Sequence, residues 1–246
     1  MFLVHRKGLT RKGDTPALLA GYGAFKVRMV PAFSPTLLQW FDAGGLFAVP
    51  NLRGGGEYGD DWHDAGRLDR KQTAFDDFIA AAEWLIANKY TSAQKLAIHG
   101  ASHGGLLTGA AITQRPDLFR AALVLDPLLD MLRYYKFVRQ PYWASEYGSP
   151  EDSGQFKWLD AYSPYRHVRS GTRYPAVLLT AADGPAEVHA MHARKMAAEL
   201  QAATVSDAAE QPILLWVDRD AATLPALQLR AIVDQRLFIM WQLGML

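Results

Sequence analysis

Residues 96–107 read Leu96-Ala97-Ile98-His99-Gly100-Ala101-Ser102-His103-Gly104-Gly105-Leu106-Leu107. An apolar segment leads into a Gly-x-Ser-x-Gly motif centred on Ser102, and a helix-compatible segment follows. Small residues on both sides of the serine permit a sharp, strained turn that lifts its hydroxyl above the end of the strand. The backbone N–H of His103 and the start of the next helix then face a developing oxyanion. The motif predicts a nucleophilic serine at position 102.

Short apolar segments alternate with helical patterns along the rest of the chain. Strands are predicted at 1–6, 17–20, 46–49, 96–99, 121–125, 176–180 and 213–217. Helices are predicted at 71–88 and 189–201, and a third is predicted between 229 and 241. This alternation favours a mostly parallel, twisted sheet with helices on both faces. Together with the serine turn, it predicts an α/β-hydrolase fold in one domain spanning residues 1–246.

The charges of the chain are nearly balanced, with 26 Lys and Arg against 25 Asp and Glu and a formal net charge of +1. That balance gives no basis for binding nucleic acid or an anionic membrane surface. The chain has no Cys, which excludes disulfides, thiol catalysis and thiolate metal sites. No apolar segment approaches the roughly 18 residues that span a bilayer, and the N-terminus does not have the pattern of a signal peptide. We expect a soluble, cytoplasmic protein that acts on a small ester or short peptide without a cofactor or metal.

Several longer motifs point to a known family. They are Gly-Tyr-Gly-Ala-Phe at 21–25, Asn-Leu-Arg-Gly-Gly-Gly-Glu-Tyr-Gly at 51–59, Trp-His at 62–63, Phe-Asp-Asp-Phe at 75–78, Gln-Arg-Pro-Asp-Leu-Phe at 114–119 and Tyr-Ser-Pro at 162–164. With the serine motif, they resemble the catalytic domain of prolyl oligopeptidase, a serine peptidase family with the α/β-hydrolase fold. The similarity covers nearly the whole chain, but nothing in it encodes the β-propeller that caps the family's catalytic domain.

The resemblance implies roles for individual residues. Ser102 would be the nucleophile, and the hydroxyl of Tyr22 would join the His103 N–H in an oxyanion hole. The aromatic residues implied to line a pocket for a proline ring are Phe25, Trp158 and Tyr162. An aromatic slot suits that ring, which is apolar, rigid and without an N–H in peptide linkage.

The chain departs from the family where the catalytic acid and base are expected. The family's acid lies in an Asp-Asp-Arg-Val-like loop, and a gapless comparison places Pro185 at the acid and Glu187 near the substrate-binding arginine. Asp183 can serve as the acid only if this loop is shifted. The family's base lies in an Ala-Gly-His-Gly loop, whereas residues 218–225 read Asp-Arg-Asp-Ala-Ala-Thr-Leu-Pro. The usual His is therefore missing.

Loss of the triad His leaves about 10³–10⁴-fold acceleration over water, so we expect weak activity unless another imidazole replaces it. His103 and His189 are the candidate replacements, with Asp183 or Glu187 as the acid. We take Ser102, Asp183 and His189 as the catalytic set. A metal site that uses His189 and His192 is a less favoured alternative. The remaining alternative is a degenerate or engineered scaffold that keeps the fold without catalysis.

Overall fold

The computed structural model describes residues 1–137, 142–183, 188–218 and 225–246, without the side chains of 225–228. Within these ranges, seven strands form one sheet with the order β1-β3-β2-β4-β5-β6-β7. The β1 strand is antiparallel to β3, and the other neighbouring strands run parallel. The strands are β1 (Phe2–Val4), β2 (Ala17–Ala20), β3 (Leu46–Val49), β4 (Leu96–Ala101), β5 (Ala121–Leu125), β6 (Ala176–Ala182) and β7 (Ile213–Asp218).

The α-helices cover both faces of the sheet, as the sequence predicts. They are α1 (Leu38–Asp42), α2 (Asp60–Asp64), α3 (Gln72–Ala87), α4 (His103–Gln114), α5 (Trp143–Tyr147), α6 (Ser153–Tyr162), α7 (Met191–Ala203) and α8 (Pro225–Gln242). Short 3₁₀ turns lie at Pro35–Leu37, Leu68–Arg70, Ala93–Lys95, Pro116–Leu118, Tyr134–Lys136 and Pro164–His167. In the ranges given above, no helix combines the length and apolar character that a membrane crossing requires.

The alternation of side chains along the strands divides the core into two layers. In β5, Ala122 and Val124 pack in the layer that contains the buried residues of α3, α4 and α7. Leu123 and Leu125 pack in the other layer, with Phe238 of α8. Successive side chains of a strand point to opposite faces, so a strand that is apolar at every position needs cover on both faces. The prediction of a mostly parallel α/β-hydrolase sheet is therefore confirmed.

Two central strands are longer than the sequence predicts. The pairing of β4 with β5 continues to Ala101 and Leu125, immediately before the serine turn. The pairing of β6 with β7 continues to Ala182 and Asp218. Their carboxyl ends therefore bring Ser102 and Asp183 to the same edge of the sheet, where open α/β sheets bind ligands.

Candidate active site

Ser102 occupies a strained turn between β4 and α4. Its φ is 55° and its ψ is −114°, a conformation that is costly for a residue with a side chain. The Ser102 N–H donates to the Leu125 carbonyl at 2.9 Å, and its own carbonyl accepts from Gly105 and Leu106 of α4. A Cβ at Gly100 would lie 2.0 Å from the Gly104 carbonyl oxygen. The glycines of the motif are therefore required by the close approach of strand and helix.

The segment that carries Tyr22 packs against the first turn of α4. A Cβ at Gly104 would lie 2.8 Å from the Gly21 carbonyl oxygen, and the rings of Tyr22 and His103 meet edge to face at 5.4 Å. Tyr22 is thus beside the backbone that follows Ser102. The role of its hydroxyl as a donor to an oxyanion, together with the His103 N–H, stays a prediction.

The His103 ring is buried behind the serine turn. Its Nδ1 and the Tyr147 hydroxyl share a hydrogen bond of 2.7 Å, and the two rings stack with centroids 5.6 Å apart. Burial holds the pKa of His103 well below its usual value; the charge of Lys71 lowers it further, and a backbone hydrogen bond with Gly23 opposes the shift. The ring is therefore neutral at pH 7 and contacts the α5 side of the site. The sequence analysis names this ring as a candidate replacement base, and the structure places its Nδ1 against the Tyr147 hydroxyl.

The three aromatic residues predicted to line one slot are distributed around α5. Phe25 contacts Trp143 and Tyr147, with ring centroids at 6.2 and 5.5 Å. Trp158 donates from Nε1 to the Tyr147 carbonyl at 3.0 Å. Tyr162 packs on Phe75 at 5.4 Å. In the part of the chain that the structure describes, no ring contact joins Phe25 directly to Trp158 or Tyr162. Their shared role in a proline pocket therefore stays a prediction.

Trp158 and Tyr162 also line a cavity of about 470 Å³, together with Gln72 and Gln114. Gln114 ends α4, so at a rise of 1.5 Å per residue its Cα lies about 18 Å from that of Ser102 along the helix. The Gln114 end of the cavity is thus distant from Ser102.

Asp183 follows β6 and forms an ion pair with α7. Both of its carboxylate oxygens accept from Arg194 Nη2, at 2.7 and 2.8 Å. Its backbone N–H donates to the Asp218 carbonyl at 2.8 Å. In this arrangement the predicted acid is oriented by Arg194 and not by an imidazole. The alternative acid, Glu187, and the position of Pro185 lie outside the described residues.

His189 is exposed near the start of α7. Its Nδ1 accepts from the Met191 N–H at 3.1 Å, and its ring packs against Phe137 with centroids 4.8 Å apart. Because Nδ1 accepts, the proton of the neutral ring is on Nε2. Across the residues that the structure describes, no imidazole is hydrogen-bonded to Ser102 Oγ. The predicted Ser102, Asp183 and His189 set is brought to one sheet edge without being joined by hydrogen bonds.

His192, the other half of the alternative metal site, is buried in the core. Its Nδ1 accepts from the backbone N–H groups of Leu129 and Asp130, at 3.3 and 3.1 Å. Burial lowers the pKa of His192 to about 4, with a smaller opposing effect from Asp130. No group of three His, Asp or Glu side chains within the described ranges is arranged to hold a metal ion. His192 and His189 therefore have different hydrogen-bond partners and different exposure.

Sequence reasoning missed two titratable features of this region. Asp126, directly after β5, has a φ of 42°, and burial together with the charge of Asp218 raises its pKa, while a backbone hydrogen bond with Ala182 opposes this. Behind the site, Lys71 forms a buried ion pair with Glu146. Neither feature has a motif of its own, because each pairing is made across distant parts of the sequence.

Comparisons with known proteins identify the family of the chain. Residues 31–221 match the model of the prolyl oligopeptidase family. The chain is 45% identical over 222 residues to a prolyl endopeptidase of Elizabethkingia miricola, covering 90% of this chain and 31% of that protein. It is also 45% identical over 204 residues to the prolyl oligopeptidase ophP of Omphalotus olearius, covering 82% and 27%. The chain spans about a third of the length of these relatives.

Solved structures give the same result for the fold. The chain superposes on a prolyl endopeptidase with a TM-score of 0.94 at 49% identity, covering 99% of this chain and 36% of the other. It superposes on apo prolyl oligopeptidase B from Galerina marginata with a TM-score of 0.91 at 37% identity, covering 98% and 34%.

Proposed function

The chain belongs to the prolyl oligopeptidase family of serine peptidases, and on that premise we propose that it forms an acyl-enzyme at Ser102 and hydrolyses small esters and short prolyl peptides slowly. The observation that carries this proposal is the Ser102 turn, with φ at 55° and Tyr22 packed beside His103. A strained serine at a strand end has little structural use, and such strain is concentrated at functional sites.

The proposed reaction starts with attack of Ser102 Oγ on the carbonyl carbon of the substrate. The carbonyl π bond opens, and the resulting oxyanion accepts hydrogen bonds from the His103 N–H and the Tyr22 hydroxyl. The serine proton passes to water, because no imidazole is bonded to Oγ in the described chain. The leaving alcohol or amine departs with a proton from water, and a second water hydrolyses the acyl-enzyme. Transition-state stabilisation without the triad base supports about 10³–10⁴-fold acceleration over water.

Slow acylation favours substrates with good leaving groups. An activated ester needs less help from a general acid than an amide does, since its leaving group departs without being protonated. We therefore place ester hydrolysis above peptide hydrolysis for this chain. The aromatic residues Phe25, Trp158 and Tyr162 are proposed to favour an apolar ring next to the reacting carbonyl.

The proposal is tested with a fluorophosphonate probe and intact-mass spectrometry. We expect one adduct per chain in the wild type and none in Ser102→Ala, because the charge that develops on the phosphoryl oxygen as Ser102 Oγ displaces fluoride is stabilised by the same donors. Ser153→Ala is the matched control, since Ser153 is exposed on α6, and it is expected to label like the wild type. Absence of labelling in the wild type refutes the acyl-enzyme and leaves a non-catalytic scaffold.

A second mechanism uses His189 as a replacement base, with Asp183 as its partner. Its support is that His189 is exposed and held at Nδ1 by one local hydrogen bond, at the sheet edge that carries Ser102. If this mechanism operates, His189→Ala slows labelling by about 10²-fold or more. The slow-acylation proposal predicts a change within about threefold, as for the exposed control His5→Ala, since neither imidazole then takes part in proton transfer. The labelling rate of His189→Ala therefore distinguishes the two mechanisms.

A further inference from the structure

A buried cluster of charged residues lies behind the proposed oxyanion hole. Lys71 and Glu146, with side chains 0% and 2% exposed, form an ion pair with Nζ 2.5 Å from Oε1. The other carboxylate oxygen, Oε2, accepts from His63 Nε2–H at 2.8 Å and from the Phe25 backbone N–H at 3.2 Å. Charged groups are rarely buried at such depth without partners. Glu146 here joins three segments: Lys71 before α3, His63 of α2 and the turn at Phe25.

The turn that Glu146 holds is strained. Phe25 and Lys26 have φ values of 54° and 56°, in the left-handed region that residues with side chains rarely adopt. Such residues persist when the surrounding structure fixes them. A hydrogen bond to the Phe25 N–H acts directly on this conformation. On the other side, Gly54 approaches so closely that a Cβ there would lie 2.3 Å from the Gly23 carbonyl oxygen.

The same helix also contacts the residue that follows Ser102. Tyr147, next to Glu146 on α5, shares a hydrogen bond with His103 Nδ1. Lys71 Nζ lies 5.6 Å from the centre of the Tyr147 ring. Two adjacent residues of α5 therefore contact both sides of the proposed oxyanion hole: the turn after Tyr22 and the first residue of α4.

We propose that Glu146 is a positioning residue that fixes the turn at Phe25 and so holds Tyr22 and Phe25 against His103, while Lys71 balances its buried charge. Glu146 contacts no substrate in this scheme. It acts through the Phe25 N–H. The expected effect on substrate binding rests on the proposed function, whereas the expected effect on the conformation of the Phe25 turn does not.

The test compares two double variants that both remove the ion pair. Lys71→Met/Glu146→Gln keeps a side-chain carbonyl that can accept from the Phe25 N–H. Lys71→Met/Glu146→Leu removes that acceptor and keeps an apolar side chain of similar volume. We measure the exchange rate of the Phe25 amide by NMR and the binding of N-benzyloxycarbonyl-glycyl-proline, an acid that cannot acylate the serine. If Lys71→Met/Glu146→Leu does not unfold cooperatively, Lys71→Met/Glu146→Met takes its place.

We call the Lys71→Met/Glu146→Leu variant the leucine pair and the Lys71→Met/Glu146→Gln variant the glutamine pair. The leucine pair is expected to raise the exchange rate of the Phe25 amide at least about tenfold and to weaken binding of the acid at least about tenfold. The glutamine pair is expected to stay within about threefold of the wild type in both measurements. Adding Lys26→Gly to the leucine pair is expected to recover part of the affinity, because glycine adopts positive φ without strain. Equal exchange in the two pairs overturns the inference. Failure of the wild type to bind the acid counts against the proposed function alone, since amide exchange still reports on the turn.

Discussion

Replacement of Glu146 by alanine is expected to lower the free energy of unfolding by about 3–5 kcal/mol, because Lys71 is left as an uncompensated charge in the interior. The Lys71 side chain is 0% exposed, and its Nζ lies 2.5 Å from Glu146 Oε1. Burial lowers the pKa of Lys71, and Glu146 opposes that shift. The variant also removes the acceptors of His63 Nε2–H and the Phe25 N–H. The measurement is a urea unfolding curve at pH 7.

The control for this prediction is Lys71→Met/Glu146→Leu, which removes both charges. Buried ion pairs replaced by apolar residues of similar volume are often neutral or stabilising. We therefore expect the double variant to be markedly more stable than Glu146→Ala. If the single variant loses less than about 1 kcal/mol, the range of an exposed pair, the Lys71 charge is hydrated and the buried cluster is not as described.

Acidification is expected to remove about 3 kcal/mol of stability through His192 alone. Burial disfavours the charged ring and lowers the pKa of His192 from its usual 6.5 to about 4 in the folded protein. Between these two values the unfolded chain binds more protons than the folded one, so the free energy of unfolding falls as the pH decreases. The loss begins near pH 6.5 and is complete just below pH 4.

The matched variant is His192→Asn, whose side-chain oxygen can accept from the backbone N–H groups of Leu129 and Asp130 without titrating. Urea unfolding between about pH 7 and pH 4 is expected to show a shallower loss for this variant than for the wild type. His99, whose pKa burial and Arg236 also lower to about 4, contributes equally in both proteins. Parallel stability curves would show that His192 is hydrated or protonated in the fold.

The elements of the fold were predictable because they are set by local patterns. The alternation of apolar strands and amphipathic helices predicted the order of the sheet-forming segments and the helices α3, α7 and α8. The serine turn was predictable because its geometry requires glycine at positions 100 and 104, where a Cβ has no room, and this requirement is visible in the sequence as a motif. The strands β4, β6 and β7 extend beyond their predicted ends, since their last residues are held by pairing with neighbouring strands.

The pairing of the titratable groups was not predictable. Sequence reasoning connected Asp183 with His189, whereas Asp183 pairs with Arg194 in the structure. It gave Lys71 and Glu146 no role, although they meet across 75 positions. Hydrogen-bond partners of this kind depend on how helices pack against each other, and the spacing of residues along the sequence does not predict that packing.

The proposed nucleophile and its expected base are encoded in separate segments. The serine turn and Tyr22 depend on β4, α4 and the segment after β2, all of which keep their close backbone contacts. The resemblance to the family predicts the base in a loop after β7, where the sequence between 218 and 225 contains no His. The proposed oxyanion hole and the expected base are thus held by different interactions, which is consistent with the proposal that Ser102 is acylated without the usual His.

If Ser102 is acylated without an imidazole base, as we propose, the pH dependence of its fluorophosphonate labelling reports it. We expect labelling at Ser102 whose second-order rate constant rises continuously between about pH 5 and pH 8, as for a serine deprotonated by solvent. A rate constant that levels off with a midpoint near 6.5, about the pKa of a free imidazole, contradicts acylation without an imidazole base. So does the absence of any adduct at Ser102.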